Sequence, residues 1–195
     1  MATGTFVAAP ARCVLDLGGV GRRAAQAAAV LSVGGVVTLG IFFAAGEPWG
    51  TINDWLTIAL AGATVPIAID LAGRNRRSAP LMIGAGLDIV GAAITSAFTA
   101  LLITRRMTFE ESLPGVMSGQ ALIGCWLVLV GLAAWSEPET RPLAGFAIVG
   151  GAGLLAAALG LTTGGMESPV AALGFVASIV GMPAFYAMLG RRPSR

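Results

Sequence analysis

The sequence predicts an all-α bundle of six transmembrane helices, and three observations carry that prediction. Apolar stretches of about twenty residues recur with almost no ionisable groups. The cleanest, Val116 to Trp135, has no charge at all, and at about 1.5 Å per helical residue that length crosses a hydrocarbon layer roughly 30 Å thick. Charged residues make up 11% of the 195, against about 25% in an ordinary soluble domain, so a soluble fold of this size would lack a polar surface; the mean hydropathy of +0.83 agrees. Finally, the connectors between the apolar stretches are short, which makes sequential helices antiparallel neighbours in one compact bundle.

Taken in order, the spacing predicts helix 1 at Ala24 to Ala45, helix 2 at Asn53 to Gly73 and helix 3 at Leu81 to Thr104. Helix 4 follows at Val116 to Trp135, helix 5 at Leu143 to Thr163 and helix 6 at Pro169 to Gly190. Residues 1–23 form a cytoplasmic leader that is frayed or interfacial, 24–190 the transmembrane domain, and 191–195 a cytoplasmic tail. The first apolar run, over twenty residues long, exceeds the h-region of about 7 to 15 residues in a cleaved signal peptide and reads as an anchor. The 28 glycines are spread through apolar segments, where they serve close helix packing.

Arginine placement sets the orientation. With the N-terminus inside, Arg12, Arg22, Arg23, Arg74, Arg76, Arg77, Arg141, Arg191, Arg192 and Arg195 are cytoplasmic, ten of the twelve basic residues. Arg105 and Arg106 fall outside, within helical reach of Glu110 and Glu111. The N- and C-termini are therefore both expected in the cytoplasm.

Several chemistries are excluded early. There is no histidine, which removes His-based acid–base catalysis, histidine haem ligation and the commonest zinc sites; neither a metal nor a cofactor is expected. Cys13 in the leader and Cys125 in helix 4 lie at different depths and do not pair. Gly151-Ala152-Gly153-Leu154-Leu155-Ala156 satisfies a dinucleotide-binding spacing, but it sits inside an apolar helix with no preceding strand, so it carries no nucleotide role. Small residues four apart, Gly153 with Ala157, Gly160 with Gly164 and Ala177 with Gly181, instead let helices 5 and 6 approach their neighbours. The dispersed arginines satisfy orientation and imply no nucleic acid.

Two carboxylates stand within predicted helices. Asp88, eight residues into helix 3, lies about 12 Å deep, where an aspartate costs around 2.5 to 3.5 kcal/mol on insertion scales; it calls for a hydrogen-bond partner, such as Thr64 or Ser96, or for a proton. Asp70 lies near the cytoplasmic end of helix 2 with Arg74 at i+4, an interfacial ion pair by spacing. Pro66 and Pro183 share the depth of Asp88, and each frees the carbonyl four residues back. Tyr186, the only tyrosine, lies one turn nearer the cytoplasm, within reach of Asp70 or Asp88 if helices 2, 3 and 6 meet. Together Asp88, Asp70, Tyr186, Pro66 and Pro183 make a candidate intramembrane polar site. On the outer side, Asn53 or Asp54 can cap helix 2, with Trp49 and Trp55 in the headgroup belt, and Gln120 is placed for an interhelical hydrogen bond.

A faint internal echo, Ala44-Ala45-Gly46-Glu47-Pro48 against Ala134-Trp135-Ser136-Glu137-Pro138, raises an inverted repeat of two three-helix halves. With the acidic, Trp-bearing stretch Glu47 to Trp55 closing its first hairpin, the layout resembles small six-helix membrane proteins of uncharacterised families from high-GC bacteria. That resemblance implies a bacterial cytoplasmic membrane and transfers no activity. The function expected is binding or transport of a small hydrophobic or cationic solute. The alternatives are a membrane enzyme acting on a lipid or isoprenoid by carboxyl acid catalysis, with Asp88 as acid and Asp70 or Tyr186 assisting, and a structural or regulatory subunit. Besides the bilayer, a membrane-protein partner or a second copy could dock through helices 5 and 6.

Overall fold

A computed structural model describes residues 15–192; Arg12, Cys13 and Arg195 lie outside the described residues. Six helices appear in sequence order: α1 (Gly19–Ala45), α2 (Trp49–Arg74), α3 (Ala79–Ile103), α4 (Phe109–Ala134), α5 (Arg141–Gly164) and α6 (Pro169–Arg191), with a short 3-10 turn at Gly165–Glu167 before the last. Each of the six is long and apolar enough to cross a membrane.

Three boundaries differ from the sequence expectation, each for a local reason. α4 begins seven residues earlier than predicted, because Thr108 forms a capping box: its hydroxyl accepts from Glu111 N at 3.3 Å while the Glu111 carboxylate accepts from Thr108 N at 2.8 Å. The charged first turn hid this start from a search for charge-free windows. α2 begins at Trp49, so Asn53 and Asp54 are inside the helix and cap nothing; Glu47 takes the capping part by accepting from Thr51 N at 3.3 Å. α1 begins at Gly19, within the stretch expected to be a loose leader.

The helices form a closed ring. Each packs on its two sequence neighbours, α6 returns to α1, and among the described residues the backbone of no helix comes close to that of the helix opposite it. Side chains are inverted relative to a soluble bundle: Val30, Val37, Ile83, Val90, Leu173 and Val180 face outward. The seams between helices are built from small residues. Any side chain at Gly91 would strike the Gly119 carbonyl, any at Gly124 the Gly151 carbonyl, and any at Gly181 the Gly150 backbone. The small residues of α5 and α6 thus meet each other within one chain, Gly153 against Gly174 and Gly160 against Ala171.

The ring has two unlike ends. Its terminal end carries both chain termini with the α2–α3 and α4–α5 connectors; its hairpin end carries the α1–α2, α3–α4 and α5–α6 connectors. The terminal half is filled by Ile67, Leu71, Leu127, Phe185 and Leu189, all fully buried. Leu15 and Leu17, just ahead of α1, are buried in the same cluster, so this segment tucks in against the terminal half. The hairpin half is hollow.

Candidate functional site

A cavity of about 520 Å³ occupies the hairpin half and is lined by residues from all six helices, a volume within the range of small-molecule sites. Its wall is mainly aliphatic, with the rings of Phe43, Phe109 and Phe175. Polar groups interrupt it in two registers. Near the hairpin end stand Asn53, Asp54, Thr99 and Ser112; deeper lie Gln120, Thr95 and, furthest in, Thr64. No lining residue is basic.

Five of the seven lining hydroxyls share one orientation. Ser32 donates to Ala29 O at 3.1 Å, Thr57 to Asn53 O at 3.0 Å, Thr64 to Ala61 O at 2.9 Å, Ser112 to Phe109 O at 2.9 Å and Ser178 to Phe175 O at 2.9 Å. Each hydroxyl has one proton to give and gives it back to its own helix. What these side chains can offer the cavity is oxygen lone pairs.

Asp88 lies below the cavity floor. It is seven residues before Thr95 on α3, hence about 10 Å further toward the terminal end, and it is completely buried. Thr64 connects the two levels, lining the cavity while facing the carboxyl of Asp88. The Thr64 hydroxyl donates to Ala61 O at 2.9 Å and is also the one hydroxyl of α2 that can turn to Asp88, whose two oxygens make no other hydrogen bond. Ser96, the other expected partner, is half-buried and makes no bond to Asp88.

Tyr186 reaches the same level from α6, three residues beyond Pro183. Its ring packs against Phe185 at 5.3 Å between centroids, it is fully buried, and its hydroxyl is also without a partner. Asp88 and Tyr186 are within electrostatic reach of each other across the ring. The Thr95 hydroxyl is a third buried, unpartnered group, in the cavity wall itself. Since buried polar groups are almost always hydrogen-bonded, three such groups in one column make this the candidate site.

The other two predicted site residues are elsewhere. Asp70 binds Arg74, with Nε to Oδ1 at 3.0 Å, and its other oxygen accepts from Gly18 N, so it anchors the chain entering α1. A catalytic pairing of Asp70 with Asp88 has no geometric basis. Pro66 does not line the cavity, and the carbonyl it frees belongs to Gly62, an exposed residue on the outer surface. Pro183 does line it.

Sequence reasoning passed over Thr95, Thr57 and the acceptor-lined wall. One signal was available: Asp88, Thr95 and Thr99 follow helical spacing of seven and four, a polar stripe on one face of an otherwise apolar helix. Gln120, expected to bond across a seam, faces the cavity and makes no hydrogen bond among the described residues. Cys125 shares the outward face of α4 with exposed Leu132 and plays no part in the column. No group of three or more metal-ligating side chains occurs among the described residues. No protein-family model matches the chain, and neither does any curated protein or solved structure.

Proposed function

We propose that this chain is a multi-pass protein of a bacterial cytoplasmic membrane that binds, and carries across part of the bilayer, a small apolar solute bearing a positive charge. The observation that carries this reading is the cavity wall: backward-donating hydroxyls, three phenyl rings and the carboxylate Asp54, with no basic residue. Oxygen lone pairs and ring faces attract cations, and the aliphatic remainder suits an apolar body. An anion would meet only the neutral amides of Asn53 and Gln120 and the Thr95 and Thr99 hydroxyls, with no basic residue to balance its charge.

Charge at the ends supports the direction of entry. Among the described residues eight arginines crowd the terminal end against two at the hairpin end, which by the positive-inside rule favours a cytoplasmic terminal end and a cavity that opens outward. The hairpin end carries Glu47, Asp54, Glu110, Glu111 and Glu167 against Arg105 and Arg106, an acidic mouth that raises the local concentration of cations.

The test is equilibrium binding of tetraphenylphosphonium, an apolar cation, to the protein in lipid nanodiscs, compared with tetraphenylborate, an anion of the same shape. The cation should bind saturably and the anion should not, and Thr57→Trp, which fills the cavity, should abolish binding while leaving the thermal midpoint within a few degrees. Equal binding of both ions, or cation binding indifferent to Thr57→Trp, would sink the reading.

A further inference from the structure

We infer that Asp88 and Tyr186 form an exchange site beneath the cavity, in which the single positive charge required by the Asp88 carboxylate is supplied either by a proton or by the bound cation, so that solute binding releases a proton. The inference rests on the solute-binding reading above and adds its coupling.

The geometry leaves few other ways to neutralise Asp88. From α2 it faces Thr64, whose one proton goes to Ala61 or to Asp88 and brings no charge, while Asp70 on the same helix is turned to Gly18 and Arg74. From α4 the packing surface toward α3 is made by Gly119, Leu122, Ile123 and Trp126, none of them titratable. Cys125, the titratable group of α4 at that depth, faces outward. From α6 comes Tyr186 alone, whose hydroxyl can give one neutral hydrogen bond. The nearest arginine on α2, Arg74, is committed to Asp70 at the terminal end. Neither a phenol nor a threonine donor is a counter-charge, and an unpaired buried carboxylate is costly enough that such groups pair or take up a proton. The Asp88 side chain therefore holds a proton until a cation takes its place.

The step balances simply. The O–H bond of the Asp88 carboxylic acid breaks, its electron pair stays on the carboxylate oxygen, and the proton passes Thr64 into the cavity and to water. The solute cation settles at the deep end of the cavity against Thr64, the lining residue that faces Asp88, as the new counter-charge, and Tyr186 turns its O–H toward the carboxylate. Rebinding of a proton reverses each change and weakens the hold on the cation, which is the linkage a proton-driven exchanger needs.

The experiment measures tetraphenylphosphonium binding and proton release together, with nanodisc-embedded protein in weak buffer and a pH-indicating dye. Wild type should release about one proton per cation bound, and its affinity should fall about tenfold for each pH unit on the acid side of the transition, as one-for-one exchange requires. Asp88→Asn should lose both the release and the slope. Tyr186→Phe should keep the release but move the pH at which the slope appears, an effect that a purely structural tyrosine would not produce. Should Asp88→Asn fail to fold, difference infrared spectroscopy of wild type serves instead: the cation should erase the carbonyl stretch of a protonated carboxyl. A wild type that binds the cation with no proton released and no infrared change overturns the exchange site and leaves the solute-binding reading standing. Release and slope that persist in Asp88→Asn and vanish in Asp54→Asn also overturn it, moving the coupling to the mouth. Absence of cation binding by wild type overturns both.

Discussion

Asp70 and Asp88 are the same residue type on adjacent helices, yet their surroundings give them opposite work. Asp70 is partly exposed and fully engaged, its two oxygens divided between Arg74 and the backbone of Gly18. Gly21 must be a glycine for this contact, because a side chain there would run into the Asp70 carboxylate. Replacing Asp70 by Ala should cost about 1.5 to 3 kcal/mol, the worth of a hydrogen bond to a charged group. Arg74→Ala, which removes only a half-exposed ion pair, should cost under about 1 kcal/mol. Unfolding in mixed micelles would rank the two, and hydrogen exchange should show residues 15–18 opening in Asp70→Ala alone; an equal cost for both would mean that the Gly18 bond carries nothing. The Asp70–Arg74 pair was legible at four-residue spacing. The Gly18 contact was not, since it joins residues 52 apart and depends on where α1 meets α2. Asp88 was legible as an anomaly of depth and Thr64 as its neighbour, but not that the Thr64 hydroxyl also has an acceptor in its own helix, Ala61 O.

Helices of this chain were legible as lengths and far less so as faces. An apolar run announces a span, and with lipid outside and small residues inside there is no polar-versus-apolar stripe to show which way a helix turns. Gly181 shows the consequence. Its place in a small-residue stripe on helix 6 suits docking to another protein or closure within the chain equally well, and the fold uses it for closure, against Gly150. Gly181→Leu should therefore destabilise the monomer itself by roughly 1 to 3 kcal/mol or more, the cost of overpacking, as thermal melting in nanodiscs would read. Gly86→Leu, where nothing lies within 4 Å of an added Cβ, should melt with wild type. A Gly181→Leu protein as stable as wild type but altered in oligomeric state would return the residue to an intermolecular role. The start of α4 teaches the complementary lesson. Thr108 and Glu111 are spaced as a capping box, a local signal that outweighs the charges in the first turn, and Thr108→Ala should cost about 1 kcal/mol in the same measurement.

At the scale of the molecule, a ring of six helices whose opposite backbones stay apart needs something in its middle. Here one half is filled by large side chains and the other is hollow. That asymmetry follows from where bulk lies along each helix: Leu71, Leu127, Phe185 and Leu189 near the terminal end, Gly35, Ala61 and Ala172 facing the hollow half. A single sequence shows each of these residues but not that they share a lumen, because ring closure between α1 and α6 joins the two ends of the chain; Gln26 Nε2, which donates to Gly190 O at 3.0 Å, spans 164 positions. The two halves predict how the molecule meets its surroundings. With Cys13 and Cys125 replaced by serine, single cysteines can be placed by Thr57→Cys in the cavity, Leu71→Cys in the filled half and Arg76→Cys in the α2–α3 connector. A membrane-impermeant thiol reagent added to intact cells should modify Thr57→Cys, with tetraphenylphosphonium slowing the reaction, and should reach Arg76→Cys only after lysis. Leu71→Cys should resist from both sides until the protein is denatured. Labelling of Arg76→Cys in intact cells would invert the orientation and turn the cavity to the cytoplasm. Reaction at Leu71→Cys from outside would mean that the lumen runs through as a pore, and an open pore would dissipate the proton exchange proposed for Asp88. Because Leu15 and Leu17 are buried in the terminal half beside the Gly18–Asp70 bond, the same Leu71→Cys probe combined with Asp70→Ala should become reactive, tying the anchor at the residue scale to the filled half of the whole ring.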